Sequence, residues 1–204
     1  MAAFLDSPLL WILLSGVVMS AISLVGAATF FLSDRLLNKI LKPLVALSAG
    51  SLLGGAFFHL IPESVESYQN SNVVYLWVLG GFSCFFVMEQ FLHWHHCHGG
   101  MEAHGRHRAP IRTMVLISDA LHNFIGGVAV AAAFMVDPRL GWITCLGEAL
   151  HEVPQELGDF GVLVHAGWSK RRALFFNFLS GLTFIVGGLL TYFASTQLDV
   201  GYLP

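Results

Sequence analysis

Six stretches of mostly apolar residues, near 9–32, 43–61, 73–92, 111–135, 140–166 and 173–196, dominate this 204-residue chain. About 20 apolar residues in helical form cross the hydrocarbon core of a bilayer. With 55% hydrophobic and only 11% charged residues, the chain carries more apolar surface than a soluble domain of this size can bury. Lipid is therefore the expected solvent. The expected fold is all-α, a polytopic transmembrane bundle of about six spans forming a single domain over 1–204. No Lys or Arg precedes the first apolar run, which is too long for a cleaved signal, so it is read as a retained span. No basic patch points to nucleic acid.

The basic residues set an orientation. Cytoplasmic loops near span ends are enriched in Lys and Arg. Arg35, Lys39 and Lys42 fall between spans one and two, Arg106, Arg108 and Arg112 between three and four, and Lys170, Arg171 and Arg172 between five and six. Nine of the ten basic residues thus lie on alternate loops, Arg139 being the exception. Both termini are expected on the extracytoplasmic side of a cell membrane, plasma or bacterial inner. Spans one and six carry no charged residue, and Gly50, Gly54, Gly126, Gly127, Gly187 and Gly188 are expected to let helices approach closely. Cys84 and Cys145 lie inside apolar stretches and are read as packing residues.

Ionisable groups are costly inside a membrane, and a cluster of them marks a pathway or site. In the fourth span Asp119, His122, Asn123 and Gly126 follow one helical face at i, i+3, i+4 and i+7. In the fifth, Glu148, His151, Glu152, Gln155 and Asp159 repeat the spacing, with Glu156 beside them. Two adjacent antiparallel helices can turn these imidazole, amide and carboxylate groups toward one another. Imidazole suits Zn, Cu, Fe and Ni, and carboxylate oxygen widens the choice toward Mn, so a divalent first-row metal is the expected guest. Pro154 cannot donate to the Leu150 carbonyl and is expected to kink the fifth span. His59 and Glu63, at i and i+4 around Pro62, are a candidate secondary cation site at the extracytoplasmic mouth.

The stretch 93–109 is the longest polar connection. His93, His95, His96, Cys97 and His98, followed by His104 and His107, match no closed tetrahedral spacing. They are expected to form a cytoplasmic loop that captures metal weakly.

Three segments together resemble the ZIP (Zrt/Irt-like) metal transporters. His122-Asn123-Phe124-Ile125-Gly126-Gly127 is similar to that family's H-N-F-x-D-G signature, and the segment from His151 to Phe160, H-E-V-P-Q-E-L-G-D-F, to its H-E-x-P-H-E-L-G-D-F. His59-Leu60-Ile61-Pro62-Glu63 resembles H-L-x-P-E. The resemblance implies a binuclear metal site between the fourth and fifth helices, loaded from outside and emptied into the cytosol, with zinc as the transported substrate. By position it implies His122, His151 and Gln155 at a primary site and Asn123 and Glu152 at a secondary one. It also implies helices that move against a dimerising scaffold, so a homodimer is expected. Gly126 departs from the pattern, and Gln155 replaces a commoner His or Glu. Glu148, Glu156 or Asp119 is expected to compensate, in which case Glu148→Ala lowers metal affinity and Gly126→Asp raises it. Family members resemble an eight-span arrangement with inverted repeats, so two further spans are expected beyond this sequence.

Two other classes compete. His151-Glu152 begins like the H-E-x-x-H motif of zinc hydrolases, but Gln155 stands where the second His is needed, so an enzyme is not expected. A metal sensor that binds without transport is the other.

Overall fold

The computed structural model describes residues 7–68, 71–97 and 108–197, with several side chains, those of His59 and of 92–97 among them, outside that description. Helix α1 spans Pro8–Ile22 and continues through a 3-10 stretch, Val25–Phe31. Helix α2, Asp34–Gly55, runs through a π-helical turn at Ala56–Leu60 into α3, Ile61–Tyr68. Then come α4 (Ser71–Cys97), α5 (Arg108–Val136), α6 (Pro138–His165), α7 (Lys170–Gly181) and α8 (Thr183–Gln197). The chain is all-helical as expected, with no strand among the described residues.

Among the described residues, four stretches are long and apolar enough to cross a membrane: Pro8–Phe31, Ser71–Phe91, Ile111–Val136 and Lys170–Thr196. Two of the six expected spans, 43–61 and 140–166, are not among them. In the first, the α-helical pattern gives way at Ala56–Leu60. In the second, Glu148, Glu152, Glu156 and Asp159 depress the hydropathy of α6. The residues that make α6 interesting chemically are the ones that make it a poor lipid helix.

Helix α5 sits at the centre, packed against α6, α7 and α8, and α1 closes the same bundle against α6 and α8. The α5–α8 crossing is a backbone contact. A Cβ at Gly127 would lie 2.0 Å from the Phe184 carbonyl oxygen, and one at Gly187 would lie 2.1 Å from that of Phe124. Only glycine allows so close an approach. Among the described residues nothing lies within 4 Å of a Cβ built on Gly50 or Gly54, so the close-packing role expected of them is not seen there.

Two apolar clusters bracket a polar layer. One joins Ile12, Met19, Val130, Ala131, Phe134, Cys145 and Phe184. The other joins Phe160, Leu163 and Ala173. Between them along α6 lie the acidic residues Glu148, Glu152 and Glu156. Cys145 is buried and forms no disulfide, as a packing residue should be, while Cys84 forms none and is exposed. Among the described residues, helix α4 packs chiefly against α3 and α5 and leaves Leu76, Trp77 and Phe82 exposed. That exposure is unfavourable in water and natural against lipid tails.

Candidate metal site

The site begins with a tight turn. Asp137 caps α6, its Oδ1 accepting from the backbone N–H groups of Arg139 at 2.8 Å and Leu140 at 3.2 Å, with Pro138 opening the helix. The turn folds α5 and α6 into an antiparallel hairpin, so residues equally far from Asp137 face each other. His122 lies 15 positions before it (137 − 122) and His151 lies 14 after (151 − 137). Gly126 and Glu148 are each 11 away, and Asp119 and Gln155 each 18 away. Both histidines fall near the midpoints of their helices. At about 1.5 Å of rise per residue, each is roughly 20 Å from either helix end, about half a bilayer.

The facing pairs make a four-residue group. One ligand atom from each of His122, Glu148, His151 and Glu152 lies within 4.8 Å of the others. His122 Nε2 is 3.2 Å from Glu152 Oε2 and 3.3 Å from His151 Nε2, and His151 Nε2 is 3.1 Å from Glu148 Oε2. The Gly147 carbonyl oxygen stands 3.1 Å from His151 Nδ1. A carbonyl only accepts, so Nδ1 carries the hydrogen and Nε2 of the neutral ring presents its lone pair to the group. This is how ligating imidazoles are usually oriented. Glu152 is 1% exposed, and its Oε1 has no hydrogen-bond partner among the described residues. Two nitrogens and two carboxylates in this arrangement suit a tetrahedral divalent ion.

A second group, Asp119, Glu152 and Glu156, shares Glu152 with the first and is wholly buried. Buried carboxylates are stable only with donors or cations nearby. Asp119 takes the Asn123 amide at 3.0 Å, the Gln155 amide at 3.4 Å and the Ser180 hydroxyl. Glu156 takes the Asn177 amide, which also reaches the Glu156 carbonyl at 3.3 Å and the Ser23 carbonyl at 3.4 Å. Asn177 and Ser180 lie on α7, in the sixth apolar run, whose sequence by itself points to packing alone. Their signal was the spacing of Asn177, Ser180 and Thr183 on one face of an otherwise apolar helix.

Of the residues singled out in sequence, His122, Glu148, His151 and Glu152 come together, while Asp119, Asn123, Gln155 and Glu156 form the layer next to them. Gly126 faces Glu148, with a built Cβ 3.4 Å from Glu148 Oε2, so α6 delivers a carboxylate to the point where α5 has none. Asp159 is buried one turn further along α6 and joins neither group. Pro154 lies inside α6 as expected. Glu63 is exposed on α3, and the side chain of its candidate partner His59 lies outside the description. His93, His95, His96 and Cys97 close α4 with their side chains likewise outside it, and His98, His104 and His107 fall outside the described residues altogether. The H-E-x-x-H reading ends at Gln155, whose amide is committed to Asp119.

The family described as ZIP Zinc transporter matches residues 9–113 and 97–201, two overlapping stretches that run almost the length of the chain. Zinc transporter ZIP13 of Rattus norvegicus is 31% identical over 189 residues, covering 74% of this chain and 51% of the relative. Zinc transporter ZIP4 of the same organism is 29% identical over 215 residues, 72% of this chain and 33% of the relative. Zinc transporter zipt-7.1 of Caenorhabditis briggsae is 28% identical over 221 residues, 81% of this chain and 56% of the relative. The chain therefore spans about half the length, or less, of these curated relatives. It is a membrane protein, and it belongs to the ZIP zinc transporter family, a family of transporters rather than enzymes.

Proposed function

We propose that this chain carries zinc, or a related divalent metal such as Fe, Mn or Cd, across a cell membrane into the cytosol through the α5–α6 site. The observation that carries the reading is the convergence of His122, His151, Glu148 and Glu152 within 4.8 Å at the middle of two adjacent helices. The partly exposed imidazoles, at 30% and 37%, offer the ion an entry that the buried Glu152 does not. The ion sheds water onto the imidazoles and carboxylates, and the group then opens to the other face by alternating access. Asn123 and Gln155 supply amide oxygens on its way, and the His-rich segment 93–109 receives it on the cytoplasmic side. On this reading the protein makes six spans with both termini extracytoplasmic and works as a homodimer in a plasma or bacterial inner membrane.

The test is uptake of radioactive zinc into proteoliposomes holding the purified protein. Wild type accumulates zinc, and His151→Ala does not. Zinc binding without uptake by wild type would replace the transporter reading with that of a sensor, and metal-dependent hydrolysis without flux would overturn it.

A further inference from the structure

Asp119 is 2% exposed at the meeting point of three helices. Its Oδ1 accepts two side-chain amides, Asn123 Nδ2 from α5 at 3.0 Å and Gln155 Nε2 from α6 at 3.4 Å, while the Ser180 hydroxyl of α7 meets Oδ2. Asn123 Nδ2 also donates to the Asp119 main-chain carbonyl at 3.2 Å. An amide has two ends, and only its NH2 end bonds to a carboxylate oxygen. Turning either amide round would set oxygen against oxygen. The carbonyl oxygens of Asn123 and Gln155 must therefore point away from Asp119. Asn123 Oδ1 is buried without a hydrogen-bond partner among the described residues, like Glu152 Oε1 in the four-residue group. Buried acceptors left without a donor are rare in folded proteins and call for an explanation such as an ion.

We propose that Asp119 is the positioning residue of the site: it holds Asn123 and Gln155 by their amide nitrogens and so presents their oxygens, Asn123 Oδ1 above all, as ligands to the passing cation. Asp119 itself does not ligate. Its carboxylate is taken up by three protein donors, unlike that of Glu152. The inference rests on the transport reading above and adds the identity of the group that orders the neutral oxygen ligands. In Asp119→Asn the new amide can donate to Asn123 Oδ1, so the Asn123 side chain is released to turn over and withdraw its oxygen.

The experiment uses protein labelled with 13C at asparagine side-chain carbonyls, with Zn2+ as the probe, in detergent or nanodiscs. Infrared difference spectra with and without zinc, compared with those of Asn123→Ala, isolate the Asn123 carbonyl band. Wild type is expected to show a zinc-dependent shift of that band. Asp119→Asn is expected to lose the shift and to bind zinc about 10–100-fold more weakly, the usual cost of removing a group that orients a ligand. Losing one negative charge also weakens binding, but it does not change which atoms ligate, so the carbonyl band decides. Asn123→Asp in the Asp119→Asn background presents oxygen whichever way it turns and is expected to recover affinity. An unchanged band shift in Asp119→Asn, or no recovery in the double variant, overturns the proposal. If Asp119→Asn does not fold, wild type alone decides: a carbonyl band that ignores zinc while zinc binds overturns it. Failure of wild type to bind zinc at all would instead sink the transport reading.

Discussion

Glu148 and Gly126 form a pair that can be exchanged between helices. Glu148 Oε2 lies 3.1 Å from His151 Nε2 and 3.4 Å from a Cβ built on Gly126, so one carboxylate fills the space reachable from either helix. Glu148→Ala removes one of the two carboxylates in a four-residue group. A charged hydrogen-bonded partner contributes about 1.5–3 kcal/mol, and at about 1.4 kcal/mol per decade zinc affinity should fall roughly 10–100-fold. Gly126→Asp added to that variant returns a carboxylate from α5 into the vacated space. Its Cβ meets only the Phe184 ring edge at 3.2 Å, so a small ring movement admits it, and most of the lost affinity should return. In the wild-type background the same Asp is pressed against Glu148, so the rise in affinity expected from sequence is smaller there. Chelator-competition titration of purified protein measures all four forms. Wild-type affinity in Glu148→Ala, or a double variant no better than the single one, would refute the reasoning.

Zinc uptake should fall as external pH drops from about 7.5 to about 5, because protons compete for imidazole nitrogens whose ordinary pKa is about 6.5 and which ligate only when neutral. A flat profile would speak against histidine ligation. Gly127→Ala drives a Cβ to 2.0 Å from the Phe184 carbonyl oxygen and should cost about 1–3 kcal/mol or more. Gly126→Ala, facing a ring edge at 3.2 Å, should cost less, and thermal unfolding of the two variants reads the difference. Asn177→Ala leaves buried Glu156 without its amide donor and should lower stability by about 1–3 kcal/mol in the same assay.

Much of the site was legible because helical spacing is local. The i, i+3, i+4 pattern put Asp119, His122 and Asn123 on one face, and likewise Glu148, His151 and Glu152. What spacing leaves open is the height at which two helices face each other. That came from the Asp137 turn, which sets His122 opposite His151 and Gly126 opposite Glu148. Roles within the cluster were not legible either. Asp119 and Glu156 read as ligands like Glu152, and each also accepts from α7, Asp119 from Ser180 and Glu156 from Asn177; nothing in the α5 or α6 sequence says that a third helix supplies donors. Apolarity alone ranks α6 below the four long apolar stretches, since Glu148, Glu152, Glu156 and Asp159 lower the hydropathy of a helix whose other faces are apolar. The α5–α8 contact was foreseen in kind from its glycines, but which ones would touch backbone depended on the crossing point.

The central claim is that imidazoles from α5 and α6 hold one ion together, and zinc-edge X-ray absorption on the loaded protein tests it most directly. The account predicts two imidazole nitrogens at about 2.0–2.1 Å with carboxylate oxygens completing the shell, and the loss of one imidazole in either His122→Ala or His151→Ala. Zinc bound without imidazole, or a shell that neither substitution alters, would contradict it.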